Sequence, residues 1–246
     1  MNSTNSALAR LRETSRIDYF AALLHGHAPT IALRAFHAEV CAIPFRVTDP
    51  MAGEVRLQWW RDVVTGERAE EASADPVGLA LVETLSTRDA WREALLAKLD
   101  AHTTDLYADP FPDWNSFHGY AGETRSVLYE LAARDLDKDE RYAEASGHAG
   151  VTEALAERLS SWPISADRTM PALPGDFMDA VGQALSSAQN VQEALAGKPR
   201  PVRKVFARSA VDRARCIAAQ RDPLRVKENG LVLSQASLQW RLWRGV

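Results

Sequence analysis

The sequence predicts an all-α fold, a single-domain helical bundle over residues 1–246. Three observations carry that prediction. Apolar residues recur every three to four positions through most of the chain, the period of one helix face, while two-residue alternation is nearly absent. Pro29, Gly66, Asp75, Pro110 and Gly197 stand where helices begin or end. No internal repeat and no long linker divides the chain.

Taken in order, "ALARLRETSRIDYFAALL" places Leu8, Leu11, Ile17, Phe20, Leu23 and Leu24 on one face of a first helix. Pro29 opens a second, "PTIALRAFHAEVCAI", because a first turn has no use for the missing N–H, and Pro44 ends or kinks it. A third runs from about Met51 to Val64 and closes at Gly66. Asp75 caps "DPVGLALVETL", with Pro76 in its first turn. "TRDAWREALLAKLDAHTTDLY" puts Trp91, Leu95, Leu99, His102 and Leu106 along one face and stops before Pro110. "WNSFHGYAGETRSVLYELAARDL" and "DERYAEASGHAGVTEALAERLSSW" read as long helices separated by an acidic turn, Asp135, Asp137 and Asp139. "DRTMPALPGDFM" is a punctuated loop, and "DFMDAVGQALSSAQNVQEALAG" a helix closing at Gly197. "KPRPVRK" is predicted to be extended, since each proline disfavours helix in the residue before it. "VFARSAVDRARCIAAQR" and "SQASLQWRLW" complete eight to ten helices.

Composition removes several function classes. A net charge of −4 lacks the clustered basic surplus of nucleic-acid binders. Cys41 and Cys216 stand far apart with no CxxC, which predicts reduced thiols in a cytoplasmic protein. No apolar run approaches the roughly 20 residues of a membrane span. Peripheral contact with the inner face of a membrane stays open through the tail "QWRLWRGV", where Trp240 and Trp243 alternate with Arg241 and Arg244. Docking of that tail onto the helical body is the preferred reading.

Paired carboxylates at i, i+4 would share a helix face and suit metal or acid–base chemistry. Asp105 and Asp109 have this spacing but sit at a helix end, which predicts a solvated terminus. Glu153 and Glu157 also have it, and predict an exposed stripe with Arg158 as countercharge. His37 and Cys41 make a two-ligand face, short of the three or four ligands zinc takes, so they read as core residues. There is no glycine-rich phosphate loop and no GxSxG.

Read in order, "DYFAALL" (18–24), "ALRAFHAEV" (32–40), "RLQWWRDVVTG" (56–66) and "PVGLAL" (76–81) resemble the squalene/phytoene synthase family. "FHGYAGETRSVLYELA" (117–132), "ASGHAG" (145–150) and "QWRLWR" (239–244) extend the likeness less strongly. The wording "AFHAEV…RLQWW" is nearer the assembly-factor-like branch associated with respiratory complex I than the authentic synthases. The resemblance implies an isoprenoid-synthase type bundle. In active members two aspartate-rich motifs hold Mg²⁺ ions that bridge to prenyl diphosphates and draw off the leaving group.

Carried onto this chain, the acidic positions of the first motif fall on Cys41, Ala42 and Phe45. In the second, Ala154, Arg158 and Trp162 stand where synthases carry Asn, Asp and Asp. Glu153 and Glu157 lie one residue earlier, about 100° around the helix. The resemblance therefore implies a catalytically degenerate member with no catalytic residue, no metal and no cofactor, acting as a binding or assembly factor with respiratory-complex subunits as partners. Candidate pocket-lining residues are Arg34, His37, Arg56, Tyr120, Glu153 and Glu157. Two alternatives stay open. One is a farnesyl- or geranylgeranyl-transferase type enzyme using Mg²⁺ and displaced acids (Glu39, Asp49, Glu153, Glu157). The other is a lipid- or isoprenoid-binding protein. The stretch before the closing helix is short for the family, so a terminal helix is expected to be missing.

Overall fold

The computed structural model describes residues 2–107, 109–138, 142–162, 171–231 and 233–244. Backbone contacts divide the chain into two compact units, Met1–Tyr107 and Ala108–Val246. Among the described residues every regular element is helical.

In the first unit, α1 (Ser3–Thr14) and α2 (Arg16–His25) replace the single helix expected from periodicity. The break falls at Ser15, whose φ of −145° leaves the helical region and whose hydroxyl caps α2 at the Asp18 amide. Serine offers the backbone this competing local bond, which apolar spacing does not register. Helix α3 (Ala28–Cys41) stops at Cys41, and Pro44 sits in the first turn of a four-residue α4 (Ile43–Arg46). Asp49 caps α5 (Pro50–Thr65), which ends at Gly66 with φ 96°, a left-handed turn that glycine takes without a Cβ clash. A short α6 (Ala69–Ala72) leads to α7 (Pro76–Ser86), where one Asp75 oxygen accepts from the amides of Val77 and Gly78. Helix α8 (Trp91–Ala101) tightens into a 3₁₀ turn, His102–Leu106, earlier than the sequence suggested. Helix α1 packs on α3 and α7, and α5 on α8. Leu11, Leu33, Phe36, Leu57, Leu81, Leu95 and Leu99 are fully buried, and Phe36 meets Trp60 edge to face at 5.1 Å. Each such side chain contributes about 1.5–3 kcal/mol of apolar burial.

The second unit is built on α11 (Ala143–Ser160), which packs against α12 (Phe177–Ala194), α14 (Ala207–Arg221) and the turn Gly122–Ser126. Its inner face is small: Ala145, Ala149, Gly150, Ala154 and Ala156 are buried. At Gly150 a Cβ would overlap the backbone nitrogen of Ser126, so only glycine permits this approach. The helix predicted over 114–136 is interrupted. α9 (Trp114–Ala121) and α10 (Val127–Leu136) are joined by a π turn, Gly122–Ser126, in which Thr124 Oγ1 donates to the Tyr120 carbonyl at 2.6 Å. Asp176 and Asp179 form a capping box at the start of α12. The basic connector is not extended throughout. Pro199 is, at φ −55° and ψ 139°, but Pro201 then occupies the first turn of α13 (Arg200–Val205). A further short helix, α15 (Pro223–Asn229), lies where none was predicted, capped by Asp222. Asp139 and the "DRTM" of the predicted loop fall outside the described residues.

Helix α16 (Gln235–Arg244) buries Leu238 and Leu242 beside α14 and leaves Trp240 and Trp243 exposed, their rings 5.7 Å apart. Among the described residues no helix is long and apolar enough to cross a membrane.

Candidate functional site

Each unit holds a buried polar cluster built on a helix that the sequence singled out. In the second unit the cluster lies on α11. The i, i+4 spacing places Glu153 and Glu157 on one face, but that face is interior: Glu153 is fully buried and Glu157 partly so. The expected exposed stripe is thus corrected, because cations from other elements compensate the burial. Arg208, on α14, sets Nη2 2.6 Å from Glu157 Oε1 and Nε 3.4 Å from Glu153 Oε2. Arg125, in the π turn, reaches Glu157 Oε2 from Nε at 3.1 Å and Nη2 at 3.0 Å. The Tyr129 hydroxyl donates to Glu153 Oε2 at 2.6 Å.

The pairing continues through Asp212, which accepts from Arg208 Nε at 3.1 Å and Arg215 Nη1 at 2.8 Å. Arg215 also donates to the Ser160 hydroxyl. Burial pushes the Asp212 carboxyl above its usual range against the pull of Arg208 and Arg215, and Glu153 adds to the rise. Arg125, Arg208 and Arg215 thus face Glu153, Glu157 and Asp212, charge for charge. Tyr120 is buried; its hydroxyl accepts from Arg125 Nη1 at 3.0 Å, and the guanidinium lies 5.4 Å from its ring centre. Of the positions where the second motif is expected, Ala154 and Arg158 are buried, and Trp162 packs edge to face on Phe177 at 5.0 Å.

In the first unit the cluster starts on α3. Arg34 and His37 are buried, Cys41 and Ala42 half-buried, and Phe45 exposed. Arg34 Nε lies 3.8 Å from Asp18 Oδ1. Arg56 is exposed on α5. The His37 Nδ1 atom is 2.8 Å from Lys98 Nζ, and Lys98 Nζ is 2.8 Å from His102 Nε2. His102 Nδ1 is 2.8 Å from Asp105 Oδ2. Lys98, His102 and Asp105 are all buried. The solvated terminus expected at Asp105 is therefore corrected: the 3₁₀ turn points this carboxylate back at an imidazole three residues earlier. Cys41 Sγ approaches the His37 ring nitrogens at 3.5 and 3.6 Å.

The displaced acids of this unit are engaged as well. Glu39 receives Arg10 at 2.6 Å and Arg46 at 2.7 Å. Burial raises the Glu39 pKa, but the hydrogen bonds and charges of the two arginines together outweigh it and leave it below its usual value. Asp49 caps α5, accepting from the Met51 amide at 3.0 Å.

Sequence reasoning named both ends of each cluster and missed the middle. Arg125, Arg208, Asp212 and Lys98 gave no motif. Lys98 carried one available signal: it lies four residues before His102, on a helix face already marked as interior by Leu95 and Leu99.

Comparison with known proteins agrees with this architecture. A family model described as squalene/phytoene synthase matches residues 26–229. The chain is 24% identical over 174 residues to "NADH dehydrogenase (ubiquinone) complex I, assembly factor 6" of Bos taurus, covering 69% of this chain and 52% of that protein. The Homo sapiens counterpart matches with the same identity and coverage. The Rattus norvegicus protein is 26% identical over 146 residues, 59% of this chain and 44% of its own length. The chain thus spans about half the length of the curated relatives it matches. Among solved structures it is similar to squalene synthase HpnC from Alicyclobacillus acidocaldarius, with a TM-score of 0.65 over 90% of this chain and 98% of that one. At 15% identity this likeness shows the terpenoid-synthase-like fold alone.

Proposed function

We propose a non-catalytic role for this chain, which belongs to the squalene/phytoene synthase family: it binds protein partners of the respiratory complex I type and does not condense prenyl diphosphates. The observation that carries this reading is the engagement of Glu153 Oε2 and both Glu157 oxygens by Arg125, Arg208 and Tyr129. Diphosphate ionisation needs Mg²⁺ held by free carboxylate oxygens that bridge it to the phosphates. Here the oxygens nearest the second motif already accept hydrogen bonds from guanidiniums and a phenol. A dication entering would meet buried positive charge. At the first motif Cys41, Ala42 and Phe45 supply no hard oxygen ligand. This donor set does not fit Mg²⁺, so no catalytic step is derived through it. The likeness to proteins named as complex I assembly factor 6 supports the choice of partner.

Two measurements test the proposal. Incubation with farnesyl or geranylgeranyl diphosphate and Mg²⁺ is expected to release no more diphosphate than a Glu153→Ala/Glu157→Ala control. Release well above that control sinks the non-catalytic reading in favour of a prenyltransferase. Affinity capture of the tagged chain from its own host is expected to recover complex I subunits, and deletion to lower complex I content. If capture recovers none and the complex stays intact, the assembly role is lost even where the chain proves inactive.

A further inference from the structure

We propose that His37, Cys41 and His102 form a binding site for one soft divalent cation of the zinc type, with Asp105 orienting His102 from behind. The inference stands on the first unit alone and does not depend on the absence of diphosphate chemistry. The sequence offers only two of the ligands, His37 and Cys41. The third comes from the 3₁₀ turn, which folds His102 back so that the three donor atoms all lie within 4.8 Å of one another.

The geometry resembles a cation site on three counts. A tetrahedral zinc centre, with metal–nitrogen bonds near 2.0–2.1 Å and metal–sulfur bonds near 2.3 Å, has nitrogen–sulfur edges of about 3.5 Å. Cys41 Sγ lies 3.5 Å from His37 Nδ1. The remaining edges, within 4.8 Å, need to close by up to about 1.5 Å through side-chain rotation. Second, the contact between His102 Nδ1 and Asp105 Oδ2 at 2.8 Å directs the Nε2 lone pair toward the cluster centre. A carboxylate behind a ligating imidazole fixes its tautomer and raises its basicity in known metal sites. Third, an amine already sits there. Lys98 Nζ lies 2.8 Å from His37 Nδ1 and 2.8 Å from His102 Nε2, so one nitrogen of each imidazole faces one fully buried amine.

The donor chemistry selects the ion. One thiolate and two imidazoles are borderline-soft ligands that favour zinc over magnesium or calcium, which take oxygen. Three protein ligands leave a fourth position, as in zinc sites that hold a water or a small ligand. Binding displaces the Lys98 amine from the imidazoles and releases the Cys41 thiol proton, because the thiolate is the ligand. Apparent affinity therefore rises with pH. Cys216 offers no competing site: burial, the first cause, pushes its thiol up to about 12.

The test is titration of the full-length, metal-stripped protein with Co²⁺ under a non-thiol reductant, followed by Zn²⁺ competition. One Co²⁺ per chain is expected, with a thiolate-to-metal charge-transfer band and the visible bands of tetrahedral cobalt. Cys41→Ser removes the charge-transfer band and Cys216→Ser leaves it. Asp105→Asn weakens binding about 10- to 100-fold, the usual cost of losing such an orienting partner. Lys98→Met, which deletes the internal competitor while keeping the volume, tightens binding at least tenfold. Far-ultraviolet circular dichroism identifies any variant that fails to fold, and the unmutated chain then decides the question alone. No charge-transfer band in the unmutated chain overturns the assignment. So does a band that survives Cys41→Ser, or an affinity that Lys98→Met leaves unmoved.

Discussion

The two buried clusters solve the same electrostatic problem with opposite materials. On α11 Glu153 and Glu157 meet Arg125 and Arg208, and Arg215 meets Asp212 of α14. At α3 two imidazoles, a thiol and Asp105 gather around a single lysine, Lys98. The first arrangement is closed, because each fixed charge has a fixed counter-charge. The second is exchangeable on our proposal, because its central group is an amine held only by two ring nitrogens. A polar cluster is therefore tied to its fold by how irreplaceable its counter-charges are, more than by how deeply it is buried.

The sharpest way to break that contrast is to remove one guanidinium. Arg208→Ala leaves Glu153 and Asp212 buried beside an emptied position, and is expected to cost about 3–5 kcal/mol in chemical denaturation. A loss below about 1 kcal/mol would mean the network is wetter or looser than its distances indicate. Lys98→Met in the metal-free protein is expected to cost less, about 1–3 kcal/mol, since no fixed charge is left unpaired when two ring nitrogens lose that donor. If it costs as much as Arg208→Ala, the distinction between closed and exchangeable clusters fails. The smallest effect concerns Glu39, whose folded-state pKa lies below its usual value. Folding then favours the ionised form. Its contribution is fully present above the unfolded value of about 4.5 and disappears as the pH falls through the folded value. Denaturation midpoints of Glu39→Gln should converge on those of the unmutated chain as the medium is acidified through that window.

Part of the candidate site could be read from residue order. Glu153 and Glu157, and His37 and Cys41, are each one helical turn apart, so shared faces followed from spacing. Whether a face is wet or dry did not. Charged residues are expected in solvent, and that fails for Glu153, whose partner Arg208 is remote in sequence, and for Asp105, which the 3₁₀ turn sets beside His102 three residues earlier. Arg208 is 51 residues from Glu157, and Lys98 is 61 from His37. Tyr120 was found only through the family likeness, and its bond to Arg125 depends on the π turn, which has no periodic signature.

Helical class, most element boundaries and the caps at Asp49, Asp75 and Asp176 were set by interactions spanning three or four residues. Local rules reach that far, so residue order alone specified them. The residues at 41, 42 and 45, Cys, Ala and Phe, are equally plain in the sequence, and none of them is acidic. The pairing of each buried charge depended on packing. Ions stay buried only where geometry brings an opposite charge within hydrogen-bond reach, and that geometry exists once distant helices have come together.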